Sequence, residues 1–306
     1  NALPCKEEED KVKTKDEIQH ILHASLEKGN MGRFLYPVDT DQFADIRKDG
    51  KVYVDKTDMV FDLVSKYRYV FLARPRRFGK SLLCNTFKAY FLGQKELFEG
   101  LKIMDLEKEW KKHPVLHFTM SGLKNCTIPE AKSALELFIS DYENLYERNI
   151  AEETPGKRFR GLIHRAFEQT GEKVVVILDE YDSAIMRLMY EPEQLEAMRT
   201  MLREFYQVLK DEGAYLRFVF ITGVTKFSQL SIFSELNNLY QISMLDEYSG
   251  LCGITQEELD TTLRPCVGEY AQNLNITTEE AYALLKKNYD GYHFSANSKD
   301  VYAPFS

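Results

Sequence analysis

The chain has 306 residues, 44% of them hydrophobic, 29% charged and 12% aromatic, an ordinary globular composition with length for one large α/β domain or two smaller ones. A net charge of −8 argues against a broad electrostatic footprint for DNA or RNA, and leaves only a local basic groove open to nucleic acid. No apolar run approaches the ~18 residues of a membrane span, and the charged N-terminal stretch does not read as a signal peptide. Five scattered cysteines (Cys5, Cys84, Cys126, Cys252, Cys266), with no C-x-x-C pair, are expected as free thiols in a cytoplasmic protein. His113 and His117 flank the start of a predicted strand, about 13 Å apart at that spacing, so no shared zinc site is expected.

In chain order, residues 1–13 read as a tail. A short amphipathic helix follows, with Thr14-x-x-Glu17 as a capping box and Ile18, Ile21, Leu22 and Leu26 on one face. Met31 to Lys56 is irregular, with an Asp49-Gly50 turn before a predicted strand Lys51–Val54. A helix over Asp58–Lys66 delivers the chain to the apolar strand Tyr69–Ala73. Further strands are expected at Pro114–Met120, Val174–Leu178, Tyr215–Ile221 and, more weakly, Leu239–Met244. Between them, Thr127 and Glu130 cap a helix whose stripe of Ala134, Leu135, Phe138, Tyr142 and Leu145 should be core. A helix over 157–169 ends at Gly171, and helical pattern runs from about 183 to 211. The last sixty residues look helical, with capping boxes at Thr255/Glu258 and Thr277/Glu280. Strands alternating with helices predict a doubly wound, mostly parallel, five-stranded α/β sheet with a C-terminal helical subdomain.

Three places in this pattern carry chemistry. Between the first strand and its helix stands Arg74-Pro75-Arg76-Arg77-Phe78-Gly79-Lys80-Ser81, followed by Leu82. A P-loop wraps phosphates with its backbone N–H groups, its lysine (Lys80) reaching the β/γ-phosphates and its hydroxyl (Ser81) holding Mg²⁺. The pattern G-x-x-x-x-G-K-S/T puts a glycine at position 74, where this chain has arginine. The run ending in Asp179-Glu180 places two acids at the C-terminal end of a central strand, where α/β sheets bind ligands. There Asp179 would hold Mg²⁺, as a Walker B aspartate does, and Glu180 would activate the attacking water. The strand ending in Thr222-Gly223-Val224-Thr225 should lie between these two, with Thr222 or Thr225 as candidate sensors of hydrolysis; a simple strand-ending turn is the alternative. Arg74, Arg76 and Arg77 could add positive charge at the phosphates, and Arg187, Arg217 and Arg264 are further, unranked candidates.

The stretches FADIRKDGKVYVDKTDMVFDL, FLARPRRFGKSLL, LFEGLKI, VVILDEYDSAI, FVFITGVTKFSQLSIFSELNNL, GITQEEL and YDGYHF…VYAPFS resemble the AAA-ATPase-like family over about Phe43 to Ser306. In that family RPRRFGKS is itself the usual loop, so Arg74 is expected there. The resemblance implies ATP and Mg²⁺ as ligands, Lys80 and Ser81 as their contacts and Asp179-Glu180 as the Walker B pair. It gives no role for Asp182 or for Tyr53–Thr57, and Ala303 stands where the family often has Asn. Members often continue into a PD-(D/E)XK-type nuclease; no D…E-x-K constellation is evident here, so no nuclease activity is expected of these residues.

The leading expectation is an Mg²⁺-dependent ATPase of the Asp-Glu type whose turnover moves or gates something else, an unknown protein partner or a second copy. Its parts would be a tail and helix over 1–30, an ATPase core over 31–250 and a helical subdomain over 251–306 that stops short of a further domain. The alternatives are a scaffold that holds nucleotide without turnover or has lost it, since Pro75 removes a loop donor and Arg74 crowds its entry, and, implied by the resemblance alone, a nucleic-acid-handling motor, which the net charge disfavours.

Overall fold

A computed structural model describes residues 34–186, 188–225, 239–295, 297–298 and 300–304; the predicted N-terminal helix and Arg187 lie outside them. In chain order the elements are α1 (Phe43–Lys48), α2 (Thr57–Lys66), β1 (Tyr69–Ala73), α3 (Lys80–Phe91), α4 (Ile103–Leu106), β2 (Val115–Thr119), α5 (Ile128–Tyr146), α6 (Pro155–Thr170), β3 (Val174–Asp179), α7 (Pro192–Asp211), β4 (Leu216–Gly223), β5 (Tyr240–Gln241), β6 (Ile254–Thr255), α8 (Gln256–Asp260), α9 (Arg264–Leu274), α10 (Thr278–Tyr289) and β7 (Val301–Tyr302).

The main sheet has the order β2-β3-β4-β1-β5, with every pair parallel. β1 and β3 are buried at every residue, as central parallel strands covered on both faces must be. Two apolar layers cover it. One packs α5, α6 and α7 against Phe71, Phe118, Val176, Leu178 and Ile221; the other packs α1, α2 and α3 against Val70, Leu72, Val175, Ile177 and Phe220. A third cluster joins α8, α9 and α10 to Tyr302, and takes in Val52 and Val54 from the start of the chain. β6 and β7 form a small antiparallel pair, and Val301 and Ala303 reach into the second layer.

The helix signals act locally and are found in place. Thr127, Thr255 and Thr277 form capping boxes with Glu130, Glu258 and Glu280, and Gly171 closes α6 in the left-handed conformation at φ 70°. Four expectations need correction. Lys51–Val54 alternates but is no strand, because it has no ladder partner among the described residues; Val52 N donates to Leu35 O, and its residues face two apolar clusters in turn. α1 occupies part of the stretch read as irregular. Helix begins at Pro192, not near 183, because a proline fits the first turn and not an interior. In α5 the buried stripe is Ala131, Leu135, Ile139 and Glu143; Ala134, Phe138 and Tyr142 flank it, and Leu145 is exposed at the helix end.

Candidate functional site

The parallel register brings three strand ends to one edge. Ala73 pairs with Gly223, Leu72 with Thr222, Leu178 with Ile221 and Thr119 with Asp179. Arg74 N continues the ladder by donating to Gly223 O at 3.1 Å. The loop after β1, the acids after β3 and the tip of β4 therefore share one crevice at the carboxyl edge of the sheet.

The loop from Arg74 to Gly79 turns through two left-handed residues, Arg77 at φ 66° and Gly79 at φ 84°. Gly79 takes that conformation without steric cost and is the N-cap of α3. It carries no capping side chain, so the first-turn N–H groups of α3, those of Lys80, Ser81 and Leu82 among them, face the loop's mouth at the positive end of the helix dipole. Lys80 is buried, and its Nζ donates to Arg74 O (3.1 Å) and Pro75 O (2.9 Å), bridging the base of the loop. Arg76 and Arg77 are exposed. Arg74 and Phe78 instead send their side chains inward, each 1% exposed. The Arg74 guanidinium donates to Ala73 O, Ser243 O and Tyr248 O, so Arg74 enters the loop by its backbone while its charge lies in the protein interior.

Across the crevice, Ser81 Oγ donates to Asp179 Oδ2 at 2.6 Å. Asp179 is 1% exposed, and its Oδ1 is buried with no hydrogen-bond partner among the described residues. Burial pushes this carboxyl above the usual range, Glu180's charge adds to the rise, and the Ser81 hydroxyl and Lys80 oppose it. An orphaned carboxylate oxygen is costly in an apolar setting. A serine hydroxyl beside a carboxylate is an all-oxygen donor pair of the kind Mg²⁺ takes through one or two protein groups and waters, so these residues fit that ion. Glu180 is half-buried with φ 55°, and its Oε2 accepts from Ser183 Oγ at 3.0 Å.

The tip of β4 is fastened to the acidic turn. Asp182, 2% exposed, accepts from Val224 N (3.0 Å) and Thr225 N (2.6 Å). Tyr181 N donates to Thr222 O and Tyr181 Oη to Thr225 O. Only glycine fits at 223, since a Cβ there would stand 2.6 Å from Asp182 Oδ1 and from the Tyr181 ring. The hydroxyls of both threonines are engaged: Thr222 Oγ1 donates to Leu72 O, and Thr225 Oγ1 meets Met186 Sδ. Arg217 is used structurally, donating to Val64 O with its guanidinium over Phe91, and Arg264 opens α9. Sequence reasoning left Asp182 without a role and passed over Gly223, although a glycine at a strand end signals close backbone approach. A surface cleft between α6 and α7, lined by Thr154, Pro155, Met201 and Phe205, contains none of these residues.

A parallel α/β sheet with this loop after β1 and acids after the second strand over is a P-loop NTPase-like fold. Residues 37–233 match the family described as "Predicted AAA-ATPase", and the chain belongs to that family. It is also 37% identical, over 278 residues, to an "Uncharacterized protein in vnfD 5'region" of Azotobacter chroococcum mcd 1; the match covers 90% of this chain and 51% of the relative, so the chain spans about half of that protein's length. Among the described residues no helix is long and apolar enough to cross a membrane.

Proposed function

We propose that this chain binds and hydrolyses ATP with Mg²⁺, and that the cycle drives a conformational output to a protein partner or a second copy. The observation that carries the reading is the Ser81–Asp179 contact with its orphaned Oδ1, facing a glycine-capped helix start across one crevice. The loop N–H groups and Lys80 would hold the β/γ-phosphates, and Lys80 would exchange its two carbonyl bonds for phosphate oxygens. Ser81 and Asp179 would hold Mg²⁺, which when bound neutralises charge building on the phosphates. Glu180 would orient the attacking water and accept its proton, releasing Ser183. Arg76 and Arg77, exposed on the loop, are the side chains of the arginine cluster able to reach an incoming polyphosphate. Thr222 and Thr225 would report hydrolysis through the backbone of the β4 tip, because their hydroxyls are engaged.

A second reading, a module that holds nucleotide without turnover, draws on the way Lys80 already closes the loop on its own carbonyls. Thermal shift with Mg²⁺-ATP, phosphate release and two variants separate the readings. The parent should be stabilised and release phosphate; Lys80→Ala should lose both, and Glu180→Gln should keep the shift and lose release. A parent that shifts without releasing phosphate establishes the second reading. No shift at millimolar ATP removes both.

A further inference from the structure

The arginine that replaces the first glycine of the loop pattern leads to a residue outside every phosphate or metal motif. Arg74 is a buried cation that no carboxylate pairs with among the described residues; its Nη atoms meet three neutral carbonyls, and its Nε has no hydrogen-bond partner among those residues. The face of Phe294 completes its surroundings, with Cζ 3.9 Å from the ring centroid. At that distance, out of water, a guanidinium is attracted to the ring's negative face. Phe78, four residues further along the loop, meets the same segment: its ring is T-shaped against Tyr292 at 4.6 Å and against Phe294 at 5.6 Å. Residues 292–294 thus grip the loop on both sides of its exposed crest, Arg76 and Arg77.

This grip is built and anchored. Gly253, at φ 89°, makes room for it, since a Cβ there would crowd Phe78 Cε1, Tyr302 O and Val301 Cβ at 3.2 Å each. Val301 N donates to Tyr292 O, Ala303 N to Tyr289 O, and Ser295 Oγ to Asp246 Oδ1. The segment is therefore a fixed wall joined to β7. A loop whose backbone must hold phosphates within a fraction of an ångström needs such support from behind.

We propose that Phe294 is a positioning residue for nucleotide binding: it caps the Arg74 guanidinium and flanks Phe78, so the shape of the phosphate loop depends on residues 292–295 and their anchor at 301–303. The proposal rests on the nucleotide-binding reading above. Because coupling between sites is reciprocal, occupancy of the loop tightens this segment in return, and the segment carries the nucleotide state toward the C-terminal side of the chain.

The test measures Kd for a fluorescent ATP analogue with Mg²⁺ in the parent chain, Lys80→Ala, Phe294→Ala and Phe294→Tyr, with melting curves of each. Phe294→Ala should raise Kd about tenfold, the scale of a desolvated cation–π contact with its ring packing. Phe294→Tyr, which keeps the ring face, should stay within about twofold of the parent. A ring with a purely structural role would lower the melting temperature and leave Kd unchanged, and Kd of Phe294→Ala within twofold of the parent overturns the proposal. If Phe294→Ala does not melt cooperatively, Phe294→Leu, of similar bulk without a π face, is judged by the same criterion. Hydrogen exchange on the parent reads the coupling with no substitution in this segment: Mg²⁺-ATP should slow exchange at Val301 N–H in the parent and not in Lys80→Ala. No slowing in a parent that binds the analogue refutes the coupling, whereas a parent that binds no analogue at all refutes the nucleotide reading beneath it.

Discussion

Asp182 has no place in the phosphate or metal motifs, yet it holds the acidic turn against the tip of β4. Its carboxylate accepts one buried N–H, from Thr225, and one half-buried N–H, from Val224. Asp182→Ala would leave both donors without an acceptor. A hydrogen bond to a charged group contributes about 1.5–3 kcal/mol, and a stranded buried donor costs about 1–3 kcal/mol. Giving Thr225 the full penalty and discounting Val224 for its access to water puts the loss near 3–4 kcal/mol. That is a large share of the ~5–15 kcal/mol that holds a domain folded. Both N–H groups meet the same oxygen, Oδ2, so Asp182→Asn can accept both with its carbonyl and loses only the charge; it should cost about half as much. Urea unfolding reads the effect as a lowered midpoint at unchanged slope. A loss below about 1 kcal/mol for Asp182→Ala would refute this account of the turn.

At Asp179 a stability gain should oppose a functional loss. Its folded-state pKa is raised by burial, so its contribution is fully present below the unfolded value of about 3.9 and is lost as pH rises through the folded value. Metal-free Asp179→Asn should therefore melt at or above the parent at neutral pH, with the advantage fading toward pH ~4, while its stabilisation by Mg²⁺-ATP disappears. A lower melting temperature at neutral pH would show that Ser81 needs the charged acceptor. The buried pair of Arg158 and Glu143, bidentate at 3.0 and 2.6 Å between α6 and α5, serves as a control remote from the loop motifs. Glu143→Ala should cost about 3–5 kcal/mol by leaving an unpaired buried cation, and should leave nucleotide Kd in the folded protein unchanged.

The residue sequence by itself determined whatever depends on near neighbours. Apolar runs marked the central strands, three Thr-x-x-Glu boxes marked helix starts, and Gly171 marked a helix end, because capping and periodicity act within a turn or two. It also named the loop and the acids that the fold brings to one edge, since each sits at the end of its own strand. Where local reading went astray, a distant partner made the difference: Lys51–Val54 alternates like a strand but finds no ladder among the described residues. Only the tertiary structure decided where the loop's side chains go. Arginine in a loop ending Gly-Lys-Ser reads as charge for a phosphate, yet Arg74 turns inward to Ser243, Tyr248 and Phe294, and Phe78 turns to Tyr292. Those partners lie some 170 to 220 residues away along the chain. No local pattern in the loop encodes them, because a buried cation takes the direction in which the folded interior supplies carbonyls and an aromatic face.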